Sequence, residues 1–418
     1  MVQVLIIVFP LLLMAAVPVA FAMLGSTGVA LWWAHKPMAV MAQRLYSPTQ
    51  SFPMLAIPFF ILAGNLMMTG RFGEHLVRFA KLLVGRFRGG MAQVSIIGSV
   101  MFGGVSGSAV ADASALGNAL IPIQKKEGYP LGLAAAVNAS SSTVSVLIPP
   151  SIPLILYGLV SNTSIISLFI AGILPGVALG IGMFAAVWLI ARRRGLPPTE
   201  VAGGWAAFRT GLWGALPALL MPGFVIGALR FGIATPTEVS VLAVAYALLV
   251  AGLIYRDLRW RDIVRAVVET GVMTGAVLLI IMASASIQWI LTAERTPQVL
   301  AAWMTGSFSQ PWMVILVLNV IMLIVGTFLD LPAAILLLGP LFVSIASAIG
   351  LDLIQLGLIM VLNLAIGLYT PPVGTTLFIS ATIAKVPIGE VVRELIPFYL
   401  VALVVVLLIS YVPALTIY

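Results

Sequence analysis

Apolar runs recur along the whole chain and are separated by short polar loops. A helix needs about 20 apolar residues to cross the hydrocarbon core of a bilayer, and runs of that length occur from end to end. The first run, residues 4–21, follows no basic segment, so we interpret it as a retained span. The pattern predicts an all-α polytopic membrane protein with no room for a sizeable soluble domain.

Two apolar runs are interrupted by a pair of prolines. In the first, Asn138 precedes four hydroxyl residues and the pair Pro149-Pro150; in the second, Asn363 precedes the pair Pro371-Pro372. Such a pair removes two backbone donors and breaks a helix, which leaves carbonyl oxygens free for a polar ligand. We therefore predict two broken spans.

Two further runs contain small and acidic residues that spanning helices seldom carry. Residues 102–122 hold four glycines, three serines and Asp112, and residues 326–332 hold Asp330. We expect re-entrant helical hairpins at 91–123 and 311–349, with these stretches near their tips. Close helix packing is the alternative explanation for the small residues. Asp112 is expected to occupy the position in the first hairpin that Asp330 has in the second.

Composition supports the membrane class. Of the 418 residues, 61% are hydrophobic and 8% are charged, against about 25% charged in soluble domains. The net charge of +8 comes from loops, so it indicates membrane orientation and not nucleic-acid binding. The absence of cysteine removes disulfides and thiolate chemistry.

Basic loops predict the topology by the positive-inside rule. They place residues 71–88, 125–127, 192–194 and 256–265 in the cytoplasm, and residues 35–50, 161–164 and 294–295 outside. Met1 is then cytoplasmic and the C-terminus periplasmic. Because no basic residue lies between Arg295 and Lys385, the second hairpin is entered from outside.

The two halves have the same order of predicted elements with opposite orientation. The predicted regions are a scaffold span and loop at 1–52, repeat 1 at 53–191 with a cytoplasm-facing hairpin, an interfacial linker at 192–211, scaffold spans and a basic cytoplasmic loop at 212–269, and repeat 2 at 270–418 with a periplasm-facing hairpin. Inverted repeats with paired breaks indicate a secondary transporter whose site lies where the breaks meet.

The expected ligand atoms of the site are hard oxygen atoms. Asp330 and Asp112 would be costly at membrane depth unless a cation or hydrogen bonds accompany them. A helix-capping role is the alternative for each carboxylate. Freed carbonyls, hydroxyls and a carboxylate suit a small cation, while helix N-termini attract an anion. Cation-coupled uptake of an anion follows.

An intramembrane serine protease is a competing class, because residues 104–107 read GVSG around Ser106. A serine nucleophile needs a base within hydrogen-bond reach, and both histidines, His35 and His75, fall in loops. No phosphate-loop motif is present that would indicate ATP as the energy source. We therefore expect no enzymatic activity.

Three long motifs in order resemble one family. They are GGVSGSAVADASALG, NASSSTVSVLIPPSIPLILYG and NLAIGLYTPPVGTTLFISATIA, and the likeness extends over almost the whole chain. They resemble the large membrane subunit of tripartite ATP-independent periplasmic (TRAP) transporters. The resemblance implies an elevator-type fold of the ion transporter superfamily, with inverted repeats and two hairpins. It also implies sodium as the coupling ion, a C4-dicarboxylate or related organic acid as substrate, and the bacterial inner membrane as the location.

The resemblance further implies two protein partners. They are a small four-helix membrane subunit and a periplasmic substrate-binding protein that delivers the substrate and selects it. The alternative is a self-sufficient sodium-coupled carboxylate carrier without a binding protein.

Site residues are assigned by matching the family's motifs to this sequence. One sodium ion is expected between the first tip and the first break, and another between the second tip and the second break. The sodium residues are Gly104, Ser106, Gly107, Ser140, Ser141, Ser142, Thr143, Gly326, Thr327, Asp330, Thr370, Gly374 and Thr375. The substrate residues, between the tips, are Ser108, Asp112, Asn138, Pro150, Ser151, Arg295, Asn363, Pro371, Pro372 and Thr376. For Arg295, a role in orientation or lipid contact is the alternative.

Overall fold

The computed structural model describes residues 1–68, 72–196, 198–199, 204–308 and 310–416. Within these ranges the chain forms nineteen α-helices and no β-strand. Six of the described helices are long and apolar enough to cross a membrane. The protein is therefore an all-α, multi-pass membrane protein. Arg71, which the charge pattern assigned to the first cytoplasmic loop, and part of the predicted linker at 192–211 lie outside the described residues.

The N-terminal region contains two short helices where a single span was expected. Helix α1, Val2–Met14, and helix α2, Val19–Trp33, pack against each other. Only four residues join them, and Ala16 there has a φ of 59°. Pro18 directly precedes α2 and supplies no backbone N–H to continue α1. The prediction of one span over residues 4–21 is wrong, because the chain doubles back at this break.

This reversal changes the predicted topology. The Met1 ammonium donates to Glu294 Oε1 at 2.7 Å, and Val2 N–H donates to Glu294 Oε2 at 3.0 Å. These two hydrogen bonds lower the pKa of Glu294 below its ordinary value. Met1 and Glu294 thus lie at the same face. The charge pattern placed Met1 in the cytoplasm and Glu294 outside, and these two assignments cannot both hold.

The next helices build the first repeat. A short amphipathic helix, α3 Ala39–Tyr46, precedes it, and two 3-10 turns, Ser47–Gln50 and Phe52–Leu55, follow α3. The repeat runs through α4 Ala56–Met68, α5 Phe72–Val84, α6 Gly90–Ser106, α7 Ala109–Lys126, α8 Leu131–Ser141, the 3-10 turn Ser142–Val146, α9 Ile152–Ser161 and α10 Ile165–Arg194.

Two helices connect the repeats. They are α11 Trp205–Arg230 and α12 Pro236–Leu249, the second prolonged by a π turn at Val250–Ile254. Helix α13 follows at Trp260–Ala293. It begins within residues 256–265, which the sequence predicted to be a loop. Asp262 accepts a hydrogen bond from Arg259 N–H at 3.1 Å and so caps this start. Arg261 and Arg265 therefore lie on the helix and not in a loop.

The second repeat has the same element order as the first. After α13 come α14 Thr296–Ser307, α15 Pro311–Gly326, α16 Leu331–Ile349, α17 Leu353–Gly367, α18 Thr375–Ala384 and α19 Ile388–Tyr411. Thus α4 to α10 correspond one by one to α13 to α19. In each set, two arms joined by a short turn precede a broken helix pair and a closing span. The residue bounds predicted for the domains stay a prediction.

Ion pairs and hydrogen bonds show which helix ends lie together. Lys81 pairs with Glu127 at 3.8 Å, and Arg194 pairs with Glu394 at 2.8 Å. At another set of ends, Tyr157 OH donates to the Leu353 carbonyl at 2.6 Å. The charge pattern puts the first set of ends inside and the second outside. Which face is cytoplasmic stays a prediction.

The halves of each broken span cross into the other repeat. Helix α18 packs against α7 and α8, and α9 packs against α16 and α17. Thr376 Oγ1 donates to the Ala139 carbonyl at 3.1 Å and to the Leu368 carbonyl at 2.9 Å. This exchange ties both hairpins and both breaks into one packed unit, which brings the two tips together.

Candidate functional site

A cavity of about 240 Å³ lies where the two hairpin tips meet. Ligand pockets for drug-sized molecules have about 300 to 1,000 Å³, so this cavity suits a smaller molecule. Its wall comes from both tips, both breaks and two further helices, α4 and α13. The lining residues are Ile61, Gly107, Ser108, Ala109, Val110, Val146, Ile152, Pro153, Met273, Ala276, Val277, Ile280, Asp330, Leu331, Pro332 and Leu368.

The first tip packs directly on the first break. Helix α6 ends at Ser106, Gly107 has a φ of 56°, and Ser108 caps α7 by accepting from Ala111 N–H at 3.4 Å. A Cβ on Gly107 would lie 2.2 Å from the Pro150 carbonyl oxygen. Glycine is therefore required here for both its left-handed backbone and its size.

The second tip packs on the second break and leaves a smaller cavity. This cavity has about 30 Å³, enough space for a water molecule or a small ion. A Cβ on Gly367 would lie 2.0 Å from the Gly326 carbonyl oxygen, so the two backbones touch. Thr375 Oγ1 is buried and has no hydrogen-bond partner among the described residues. The lining residues are Gly326, Thr327, Leu329, Asp330, Gly367, Leu368, Val373, Gly374 and Thr375.

Asp330 lines both cavities, and it is the only ionisable residue among those that line them. It is the N-cap residue of α16, and its side chain interacts with the Leu331 N–H but makes no further capping hydrogen bond. The capping alternative for Asp330 therefore holds for its position at the start of α16. A carboxylate that also faces two cavities is available to a ligand.

Asp112 does not hold the position expected for it. Ser108 caps α7, so the capping alternative for Asp112 is wrong. Asp112 lies four residues after Ser108, and the corresponding residue of the second hairpin is Ala334, four residues after Asp330. The counterpart of Asp330 is Ser108. Asp112 lines neither cavity, and its side chain is fully buried against Ser99.

The hydroxyls near the first break point into their own helix. Ser140 donates to the Ala136 carbonyl at 2.7 Å, Ser142 to Ala139 at 2.9 Å and Thr143 to Ser140 at 2.6 Å. They are buried below the tip and do not line the 240 Å³ cavity. The structure thus places these predicted ligands behind the break, with their protons already donated.

Ser141, Gly104 and Ser106 also lie outside the wall of the main cavity. Ser141 Oγ lies 3.0 Å from Ser99 Oγ. A Cβ on Gly104 would lie 2.3 Å from Pro222 of α11, so Gly104 allows close contact with the scaffold. Ser106 Oγ accepts from Ser108 N–H at 3.4 Å. The structure brings Gly107 and Ser108, but not these three, to the cavity wall.

Both asparagines of the broken spans join helices. Asn138 Nδ2 donates to the Ala113 carbonyl at 2.9 Å and to Ser380 Oγ at 2.8 Å. Asn363 Nδ2 donates to Asn319 Oδ1 at 2.6 Å. Neither asparagine lines the main cavity, so each acts in packing between the hairpins and the broken spans.

The remaining predicted residues are near the breaks but not in the main cavity wall. Ser151 caps α9 and donates to the Val146 carbonyl. Thr370 Oγ1 donates to the Ile366 carbonyl at 2.7 Å. Pro371 and Pro372 are exposed, Pro150 contacts the first tip, and Thr376 bonds to α8.

Arg295 is not at the site. It is exposed at the end of α13, fifteen residues after Ile280, the last α13 residue in the cavity wall. At 1.5 Å per residue this spacing is about 22 Å along the helix. The assignment of Arg295 to the substrate is not supported by this placement.

The wall formed by α4 and α13 was missed by sequence reasoning. Met273, Ala276, Val277 and Ile280 recur at the spacing of one helix face. The only signal was this apolar spacing, which also fits a face in lipid. Opposite them, the first two residues of α7 and of α16 line the cavity, so the positive ends of two helix dipoles adjoin it.

The protease alternative finds no histidine or lysine among the described residues that line the two cavities. Neither histidine lines the cavities, and His75 stacks on Tyr255 with ring centroids 5.0 Å apart. Ser106 interacts with a backbone N–H and not with an acid or base. The tip serines therefore lack the partner that a nucleophile requires.

Comparison with known proteins gives a consistent result. Residues 5–415 match the family described as tripartite ATP-independent periplasmic transporter, DctM component. The chain is 52% identical over 416 residues to the uncharacterized protein y4mL of Sinorhizobium fredii, covering 99% of each chain. It is 36% identical over 396 residues to the C4-dicarboxylate TRAP transporter large permease protein DctM of Pseudomonas aeruginosa, covering 94% of this chain and 92% of that one.

A solved structure shares the fold. The crystal structure of the Alcanivorax borkumensis YdaH transporter, described as having an unusual topology, matches with a TM-score of 0.63. The match covers 88% of this chain and 86% of that chain at 14% identity. At this identity the likeness concerns the fold alone.

Proposed function

Since the chain belongs to the family of DctM components of tripartite ATP-independent periplasmic transporters, we propose that it carries a small organic acid into the cell together with sodium. As a large permease subunit it acts in solute uptake and is not an enzyme. The observation that carries the proposal is the convergence of both hairpin tips on one small cavity whose only ionisable lining residue is Asp330.

Sodium is the proposed coupling ion, held at the second tip. The 30 Å³ cavity there has room for about one small ion, and Asp330, Thr327 and the unpartnered Thr375 Oγ1 supply hard oxygen atoms. A cation beside Asp330 would offset the cost of a carboxylate at membrane depth. A first-tip cation would rely mainly on carbonyl oxygens near Gly107 and Pro150.

The organic acid is proposed to occupy the 240 Å³ cavity between the tips. An anionic group there would be stabilised by the N-terminus of α7, where Ser108 also offers a hydroxyl. The relative from Pseudomonas aeruginosa is named for C4-dicarboxylates, and a molecule of that class is the first candidate. The cation beside Asp330 would keep this carboxylate from repelling the substrate.

An elevator-type movement is the proposed route of alternating access. The hairpins and broken spans contribute every polar side chain in the main cavity wall, whereas α4 and α13 contribute only apolar ones. An apolar wall makes no directional bonds to the ligands. The hairpin unit could therefore slide along α4 and α13 while its polar contacts to the ligands remain intact.

Two partners are proposed from the tripartite family description. They are a small four-helix membrane subunit and a periplasmic protein that binds the substrate and delivers it to the outer face. The bacterial inner membrane is the corresponding location. A self-sufficient carrier is the second candidate, because this chain supplies both hairpin tips and both breaks that line the cavity.

Reconstitution tests the proposal. Vesicles containing this chain, the small subunit and, on the substrate side, the binding protein should accumulate a radiolabelled C4-dicarboxylate only under an inward sodium gradient. Accumulation that is unchanged when potassium replaces sodium would refute the cation coupling. Equal accumulation without the binding protein would favour the self-sufficient carrier.

A further inference from the structure

Asp112 is a buried carboxyl group with one unused oxygen atom. Its side chain has 0% exposure. Asp112 Oδ1 accepts a hydrogen bond from Ser99 Oγ at 3.1 Å, while Oδ2 has no partner among the described residues. A buried polar atom without a partner is costly, and a buried charge without a partner costs more. This arrangement calls for a ligand.

Among the described residues, no ion pair involves Asp112. The elements that pack most extensively against α7 are α5, α6, α8, α18 and the 3-10 turn Ser142–Val146. The last four contain no ionisable residue. The ionisable residues of α5 are Glu74, His75, Arg78 and Lys81.

The charges of α5 meet α7 at its far end. Lys81 pairs there with Glu127, fifteen residues after Asp112 and thus about 22 Å along the helix. Lys125 and Lys126 lie at the same end of α7. Asp112 is therefore far from every positive side chain on its own helix and from the cation of α5 that meets it.

Oxygen atoms from three helices meet at this point. Ser99 Oγ of α6 lies 3.1 Å from Asp112 Oδ1 of α7 and 3.0 Å from Ser141 Oγ of α8. Hard cations bind oxygen atoms at about 2.3 to 2.6 Å, so neighbouring oxygens about 3 Å apart can share one cation. We propose that Asp112, Ser99 and Ser141 form a sodium-binding site distinct from the two hairpin-tip cavities.

The second repeat shows that the carboxylate is not needed for the packing itself. Ser99 and Asn319 hold equivalent positions, because each lies seven residues before the end of the first arm of its hairpin. Ser141 and Asn363 are equivalent in the same way, since each lies eight residues before the first proline of its break.

Both pairs are in contact, at 3.0 Å for the serines and 2.6 Å for the asparagines. The second repeat thus ties its hairpin to its broken span with neutral groups alone, and Ala334 stands where Asp112 does. The extra carboxylate in the first repeat therefore has a role beyond this tie.

A cation at this site would join three helices. It would bind α6 and α7, the two arms of the first hairpin, and α8, which leads to the first break. Its occupancy would therefore hold the first tip against the break, close to Gly107 and Pro150. This links sodium binding below the tip to the shape of the substrate cavity.

Sodium binding to the purified chain tests this site without measuring uptake. Radioactive sodium bound at saturation should fall by one ion per chain in Asp112→Asn, which keeps the size of the side chain and removes its charge. Asp330→Asn serves as the matched variant at the second tip and should also lose one ion. The double variant should lose two.

Ser99→Ala provides a second variant that keeps the carboxylate. It should weaken sodium binding at this site about tenfold, the effect of losing one polar contact to a charge. Unchanged sodium stoichiometry in Asp112→Asn would overturn the site. The site would also be overturned if Asp112→Asn kept all of its bound sodium but lost the pH dependence of thermal stability, because Asp112 would then hold a proton and not a sodium ion. If neither Asp112→Asn nor Asp330→Asn changed bound sodium, the second-tip sodium site of the proposed function would fail as well, whereas loss of an ion in Asp330→Asn alone would overturn only the Asp112 site.

Discussion

Ser108 and Asp330 are equivalent residues of the two hairpins, and both face the same cavity. Each directly precedes the second arm of its hairpin, α7 or α16, and each lines the 240 Å³ cavity. Ser108 uses its side chain to cap α7 through Ala111 N–H, whereas the Asp330 side chain interacts only with the adjacent Leu331 N–H of α16. The inverted repeat thus presents a neutral hydroxyl from one side and a carboxylate from the other, which suits a site that takes an anion and a cation together.

Asp330→Asn should abolish sodium-dependent uptake, because the replacement removes the only carboxylate in the cavity wall. The measurement is initial uptake against sodium concentration in vesicles that contain all three components. Asp352→Asn is the control: Asp352 caps α17 by accepting from Ile354 and Gln355 N–H at 2.8 and 2.9 Å, and asparagine caps equally well. Sodium dependence retained by Asp330→Asn would contradict its role.

Gly367→Ala should separate the second tip from the second break. The added Cβ would stand 2.0 Å from the Gly326 carbonyl oxygen, so one of the two backbones must move. We expect at least a tenfold loss of sodium affinity, measured by sodium-dependent thermal stabilisation of the purified chain. Gly389→Ala, whose Cβ would meet nothing within 4 Å, should behave like the unmodified chain. Equal behaviour of the two variants would argue against a cation site at this contact.

Asn319→Ala and Asn363→Ala should be coupled in a double-mutant cycle. Asn363 donates to Asn319, and Asn319 Nδ2 donates to Ser410 Oγ at 3.0 Å. Hydrogen bonds between membrane helices contribute about 0.6 kcal/mol on average and at most about 1.7 kcal/mol, so we expect a coupling free energy in that range. Unfolding in mixed detergent micelles measures it. Strict additivity would show that the contact does not stabilise the protein.

Single cysteines should report the topology, since the natural chain has none. Gln3→Cys and Gln298→Cys lie near the Met1–Glu294 contact and should react with an impermeant thiol reagent from the same side of the membrane. Lys126→Cys, at the opposite set of helix ends, should react only from the other side. If Gln3→Cys and Lys126→Cys reacted from the same side of the membrane, the result would support the topology predicted from the charge pattern, in which Met1 and residues 125–127 share the cytoplasmic face.

Arg295→Gln should leave uptake within about twofold of the unmodified protein. The side chain is exposed and stands about 22 Å along α13 from the cavity wall, beyond direct contact with a substrate there. The measurement is the concentration dependence of substrate uptake at saturating sodium. A large rise in KM with unchanged maximal rate would show that Arg295 meets the substrate after all.

The sequence by itself determined the membrane class, the two hairpins and the two broken spans. These features follow from local physics: hydrophobic length decides what can cross a bilayer, and a Pro-Pro pair interrupts a helix wherever it occurs. Gly107 and Asp330 were found in the same way, because glycine and a carboxylate are conspicuous in an apolar run. The repeated motifs also identified the family that the comparison confirmed.

Only the tertiary structure decided which side chains share a site. Asp112 and Asp330 look alike in the sequence, but Asp112 lies one turn inside α7 against Ser99, whereas Asp330 precedes α16 and lines the cavity. The serines at 140–142 have ligand chemistry, yet intrahelical bonds and the Ser99 contact direct them away from the cavity wall. Met1 meets Glu294 because a four-residue break lets α1 fold back on α2. Such placements depend on contacts between residues far apart in the chain, and hydropathy and local motifs carry no information about those contacts.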